Sequence, residues 1–258
     1  MKLMFQFSIA GVLVLAIASS SFVEGRESKE DQNRTASSDT EKRLNEAAKV
    51  LDDIMNVPDK GIPEGILASA KCVALVPSLI KAGFIVGGRY GRGVATCRNK
   101  SGWSGPAPFT ITGGSWGLQF GGEEVDLVLV VMSDKGMHDF LATRFKLGAG
   151  ASVAAGPVGR VTETSMEGKP KSGILSYARS RGVFAGLDLN GAVIKQDSGG
   201  MRDLYGAVVP FKAVLLGKVP APEKTRHFLA TVEKWATPGA QASTAQREPM
   251  ARATGSER

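Results

Sequence analysis

Apolar residues recur at spacings of three and four between Leu44 and Met55. Leu44, Ala47, Ala48, Leu51, Ile54 and Met55 form one stripe, and Lys42, Arg43, Lys49, Asp52 and Asp53 fall largely off it. That period predicts an amphipathic helix, closed by Pro58 and Gly61. A second, short helix is expected from Pro63, a favourable first helical position, carrying Ile66, Leu67 and Ala70. From Cys72 to Ile194 the pattern becomes that of strands. CVALVP, GFIVGGRYGRGVATC, FTITGGSWGLQFG, VDLVLVVM, KLGAGASVAAGPVG, ILSYARSRGVFAGLDL and GAVIK are rich in Val, Ile, Thr and aromatic residues and are broken by glycine. Asn190-Gly191 carries a hairpin signal. Glycines inside long strands permit bends, bulges and close backbone approach, so their number predicts a strongly curved sheet or barrel. One helix is expected to interrupt the strands near Asp134 to Thr143, with Met137, Phe140 and Leu141 on a face. Met201 to Tyr205 reads as a short helical turn. Glu223 to Ala236 reads as a helix with Phe228, Leu229, Val232 and Trp235 on its docking stripe. The expected fold class is α+β: a curved antiparallel sheet or barrel-like β core over 72–195, with N- and C-terminal amphipathic helices packed on it.

The chain ends change the picture of where this domain works. Lys2, the apolar run Ile9 to Ala18 and the small residues Ala18 to Ser21, followed by polar Glu24-Gly25-Arg26, have the layout of a secretory signal peptide. The apolar run is about half the roughly twenty residues a membrane-spanning helix needs. The expected organisation is a signal peptide over 1–25, a flexible leader over 26–39, one domain over 40–236 and a disordered polar tail over 237–258. Export to the periplasm or the exterior is therefore expected, with a peripheral position on a membrane as an option.

The formal net charge is +7 over 258 residues. Lys2 and Glu24 cancel, so removal of residues 1–25 leaves it unchanged. A basic balance in an exported protein favours anionic partners, such as phospholipid head groups or acidic envelope polymers, over nucleic acid. Ordinary solubility is the competing reading of the same charge. The two cysteines, Cys72 and Cys97, either pair in an oxidising compartment or remain two buried thiols. A zinc site would also need His138 and His227, and the separations fit no compact ligand pattern.

Motifs that resemble catalytic signatures do not assemble into sites. Gly113-Gly114-Ser115-Trp116-Gly117 matches G-x-S-x-G, which requires a strand-to-helix turn at the serine; here Leu118-Gln119-Phe120 and Val125 to Val131 continue as strand. Ser78-Leu79-Ile80-Lys81 matches S-x-x-K without the S-D-N or K-T-G that completes that site. Lys81 reads instead as a charged residue at a turn entering the next strand. Gly87 to Gly93 (GGRYGRG) has neither phosphate-loop spacing, though Arg89 and Arg92 offer guanidinium forks to phosphates. Gly148 to Gly159 reads as a strand packed closely under a helix, or as the lining of an acyl-chain pocket. No enzymatic activity and no cofactor are expected.

Read together, these segments resemble the SYLF domain family of lipid-binding proteins. The resemblance is carried by EAAKVLDDI (46–54), IPEGILASAKCVALVPSLIKAGFIVGGRYGRGVATCR (62–98), WSGPAPFTITGGSWGLQFGGEEVDLVLVVMSDKGMHDF (103–140), KLGAGASVAAGPVGR (146–160) and YARSRGVFAGLDLNGAVI (177–194), followed by MRDLYG (201–206). It implies binding of phosphoinositides or other anionic lipids, with a basic N-terminal amphipathic region as a contact in eukaryotic members, some of which bundle actin. This chain departs from those members in its signal peptide and in the absence of a FYVE finger, which shifts the implied ligand to envelope phospholipid. The expected lipid-binding residues are Lys42, Arg43, Lys49, Lys81, Arg89 and Arg92. A structural or interaction module that meets a cell-wall polymer or a protein through its basic surface is the alternative.

Overall fold

The computed structural model describes residues 24–57, 61–83, 86–116, 121–142, 144–148, 153–157, 173–180, 183–185, 187 and 189–237. Most of the expected signal peptide and tail lies outside them. Helix α1 (Glu24–Met55) leads to the short α2 (Glu64–Ala68) and then to β1 (Cys72–Gly83), β2 (Val86–Asn99), β3 (Gly102–Trp103), β4 (Ala107–Trp116) and β5 (Gly121–Val131). Helix α3 (Asp134–Phe140) precedes β6 (Arg144–Lys146), β7 (Val153–Ala155), β8 (Ile174–Ser180), β9 (Val183–Ala185) and β10 (Val193–Gln196). The chain closes with α4 (Ser198–Tyr205), α5 (Phe211–Leu215), a 3-10 turn (Glu223–Thr225) and α6 (Arg226–Ala236).

The strands form one curled sheet, a half-barrel, in the order β6-β10-β4-β2-β1-β5-β8-β7, with β3 on β2 and β9 on β8. Each of its pairs is antiparallel except β7 with β8, so the sheet is mixed where the sequence predicts an antiparallel one. Both faces of the central strands are buried. Cys72, Ala74, Val76, Leu127, Leu129 and Val131 point to a first face, which also takes Phe109, Ile111, Phe145, Ile194 and the α3 and α5 residues Phe140, Phe211 and Val214. Val73, Leu75, Val94, Val128 and Val130 point to the second face, beneath α1, α2 and α6. That double burial explains why VDLVLVV reads as a continuous apolar run rather than an alternating one.

The α1 stripe docks as its period requires: Leu44, Ala47, Ala48, Leu51 and Ile54 are each at most 1% exposed. Helix α1 also continues N-terminally through 26–39, where the sequence predicts a flexible leader. That stretch contains neither Gly nor Pro, and a helix anchored by one docked half propagates at little cost per added residue. Asn190-Gly191 does make a turn, with Gly191 at φ 77°. The strand it leads into, β10, pairs with β6 and β4 rather than folding back on β9, so no hairpin forms. Helix α5 has no counterpart in the sequence expectations. Gly93 marks a close approach, since a Cβ there would stand 2.5 Å from both the Leu75 carbonyl and the Phe109 ring.

Candidate functional site

The six residues expected to meet an anionic ligand do not share a surface. Arg43 and Arg89 are buried, at 5% and 7% exposure, and leave the candidate set on that ground. Lys42 and Lys49 are exposed on α1, but Lys42 lies 3.8 Å from Glu46 and Lys49 lies 2.6 Å from Asp53. Lys81 lies within β1, not at a turn, and pairs with Glu123 of β5 at 2.9 Å. Arg89 and Arg92 are three positions apart on β2, and side chains alternate faces along a strand. Arg89 therefore points to the first face, donating to the Gly114 carbonyl at 3.2 Å, while Arg92 points to the second.

Arg92 belongs to a three-residue network that ties α1, β2 and α4 together. Asp197 caps α4, accepting from the Gly200 amide through Oδ1 at 3.0 Å. Its Oδ2 accepts from Arg43 at 2.9 Å and from Arg92 at 3.3 Å. Burial works to raise the Asp197 pKa, but the Gly200 amide and the two guanidiniums together hold it below the ordinary value. Burial, and then the neighbouring Arg92, lower the pKa of Arg43. Two cations sharing one carboxylate leave the network with net positive charge. Its exposed member is Arg92, whose side chain is 38% exposed against 6% for Arg43.

Beyond that network the second face of the sheet is open and basic. Arg92 is registered with Thr110, Thr110 with Lys195, and Lys195 with Arg144, so one row crosses β2, β4, β10 and β6. Registered partners project from the same face of a sheet. The adjacent row runs Glu124, Ile80, Tyr90, Thr112, Val193 and Lys146. Arg144, Lys146 and Lys195 are exposed and make no ion pair among the described residues. Ile80 and Tyr90, at 54% and 50%, are the two most exposed large apolar side chains among the described residues. The face thus presents four cations, two threonine hydroxyls and a projecting aromatic–aliphatic pair, a chemistry suited to anionic groups beside an apolar phase.

Sequence reasoning missed Arg144, Lys146 and Lys195. The available signal was local: Arg144-Phe145-Lys146 and Val193-Ile194-Lys195 alternate in and out, as half-buried strands do. On the far side of α1 the same face turns acidic. Asp126, Glu124 and Asp53 lie near Arg179 and Lys49 there, and burial raises the Asp126 pKa. Asp126 Oδ1 accepts from the Ser78 amide at 3.2 Å, at a bulge where Ser78 takes φ 58°.

Cys72 and Cys97 are directly registered on β1 and β2 and joined by a disulfide, both fully buried. Ser115 lies within β4, opposite Gly87 on β2, and the next element among the described residues is the strand β5. Among the described residues no three His, Cys, Asp or Glu side chains converge as metal ligands would.

This fold and face define a class: an α+β half-barrel domain, sheathed by helices, with exposed cations on one face of its sheet. Residues 112–235 match the family described as Ysc84, Las17-binding protein actin regulator, in agreement with the resemblance to the SYLF domain family. SH3 domain-containing YSC84-like protein 1 of Rattus norvegicus is 32% identical over 218 residues, covering 80% of this chain and 64% of its own length. The Homo sapiens protein of that name is 32% identical over 210 residues, covering 79% of this chain and 61% of its own. Protein YSC84 of Saccharomyces cerevisiae is 32% identical over 209 residues, 78% of this chain and 44% of its own. The chain therefore spans between 44% and 64% of the length of these relatives.

Proposed function

We propose that this domain is an exported, non-enzymatic module that docks on anionic phospholipid surfaces of the cell envelope. The observation that supports it best is the row Arg144–Lys195–Thr110–Arg92 beside exposed Tyr90 and Ile80 on the open sheet face. Exposed cations near an anionic bilayer each contribute about 1 kcal/mol, screened by salt. Tyrosine is at home at the level of the head groups, where its ring is half apolar and its hydroxyl wet. The reading moves the contact from α1, whose stripe is consumed by docking, to the sheet. Export rests on the layout of residues 2–25.

A protein ligand is the second reading, and the family description, which names Las17 binding and actin regulation, favours it. Co-sedimentation of the full chain with anionic and with zwitterionic vesicles separates the two. Binding to anionic vesicles alone is expected. The triple substitution Arg144→Ser, Lys146→Ser, Lys195→Ser should weaken it by about 3 kcal/mol at low salt, roughly a hundredfold. The pair Lys42→Ser, Lys49→Ser should change it far less. Equal pelleting with both vesicle types, or none, overturns the lipid reading and leaves the protein ligand standing.

A further inference from the structure

We infer that Ile80 and Tyr90 form an apolar wedge that enters the outer acyl layer of a bilayer, so that at fixed head-group composition the domain prefers loosely packed, curved membranes. The inference rests on the membrane reading above and adds a dependence on lipid packing to it. Single exposed apolar residues are ordinary on a protein surface. These two are direct register partners on β1 and β2 and the most exposed large apolar side chains among the described residues, at 54% and 50%. Their side chains therefore stand next to each other on the second face, about 5 Å apart at Cβ.

Two residues further along the strands, about 7 Å away, the same face carries the row Gly122, Ala82, Gly88 and Gly114 across β5, β1, β2 and β4. All four are exposed. A Cβ at Gly88, Gly114 or Gly122 would meet nothing nearer than a backbone oxygen at 3.9 Å, and none of the three has a positive φ. Neither internal packing nor backbone conformation calls for glycine there, and glycine is unfavourable within a strand. The bare backbone leaves Ile80 and Tyr90 raised above that row. On the other side of the pair lies the row of Arg92, Lys195 and Arg144. Polarity thus changes along the strands from bare and apolar to cationic, and long cationic side chains reach head groups while the apolar pair sits below them. Glu124, exposed and registered with Ile80 on β5, keeps the wedge shallow, because a carboxylate is costly to carry into hydrocarbon. Shallow insertion of apolar side chains needs gaps between lipids, which makes it sensitive to curvature and packing.

Two measurements on the full chain test this, both with phosphatidylcholine vesicles at one fixed fraction of phosphatidylglycerol. In the first, Ile80→Trp and, separately, Tyr90→Trp are bound to vesicles whose acyl chains are brominated near the carbonyl end or near the methyl end. Quenching beyond that of the parent protein is expected, and it should be stronger from the carbonyl end. In the second, a flotation series compares small unsaturated vesicles with large, more saturated ones at the same charge. The small vesicles should bind the parent several-fold more tightly. Ile80→Ser and Tyr90→Ser should each lower that affinity about fivefold and flatten the preference, whereas Ile80→Leu and Tyr90→Phe should keep it. Thermal unfolding of each variant should match the parent, since both side chains are exposed. Equal binding to the two vesicle packings, or no acyl quenching in both Ile80→Trp and Tyr90→Trp, overturns the inference and leaves docking at the head groups intact. Failure of the parent to bind vesicles of either packing overturns the membrane reading together with the inference.

Discussion

Lys195 of β10 stands directly opposite Arg144 of β6, with both side chains exposed on the same face of the sheet. Like charges in registered positions repel, at a cost of roughly 0.2–1 kcal/mol. Lys195→Glu should therefore raise the unfolding free energy of the isolated protein, read from denaturant unfolding, by an amount in that range, while it weakens pelleting with anionic vesicles. Opposite signs in the two measurements would mark the pair as kept for binding at the expense of stability. A destabilised Lys195→Glu variant would count against the pairing.

Asp197 holds together three elements, and its removal strands a buried cation. Asp197→Ala should cost about 3 kcal/mol or more, because Arg43 loses its partner in a buried setting, with about 1 kcal/mol of that from the lost cap of α4. Asp197→Asn keeps a capping acceptor and isolates the charge, so it should fall between the parent and the alanine variant. Urea unfolding of the three proteins checks the order. Asparagine and alanine variants of equal stability would mean that the cap contributes nothing.

Two aspartates should shape acid stability in opposite senses. The Asp197 carboxyl is held below its ordinary value of 3.8, so its contribution is present above that pH and is lost as the pH falls through the folded-state value. The Asp126 carboxyl is raised above 3.8 by burial, so the folded state holds its proton more tightly than the unfolded chain and stability declines as pH rises through its folded value. Asp126→Asn retains an acceptor for the Ser78 amide and carries no charge. It should leave the protein at least as stable at pH 7 and remove the decline that sets in as the pH rises above 3.8, measured by thermal unfolding from that pH upward.

The Cys72–Cys97 bond closes a loop with a sequence separation of 25. A loop of that size stabilises by roughly 3–4 kcal/mol in the chain-entropy model. Unfolding in guanidinium with and without a thiol reductant should differ by about that amount, and Cys72→Ala, Cys97→Ala together should reproduce the reduced protein. Both sulfurs are buried, so reduction should proceed at the rate of opening rather than at the rate of the reagent.

What residues 1–258 determined by themselves is what depends on neighbours along the chain. The three-and-four stripe of Leu44 to Ile54 specifies a docked helix. The Val- and Ile-rich runs specify strands, and their glycines a curled sheet. A period of two along β2 already separates Arg89 from Arg92. Only the tertiary structure decided which cations share a face, because β6 and β10 are far apart in sequence and meet through a pairing that no local pattern encodes. It also decided that Arg43 turns inward, since the partner that makes its burial tolerable, Asp197, lies 154 positions away. Helix and strand formation are governed by short-range periodicity, whereas the position of a charged surface depends on strand order and register. Those are settled by which apolar faces can be buried together, so most elements were legible in the chain, α5 and the N-terminal part of α1 excepted, and the basic face was not.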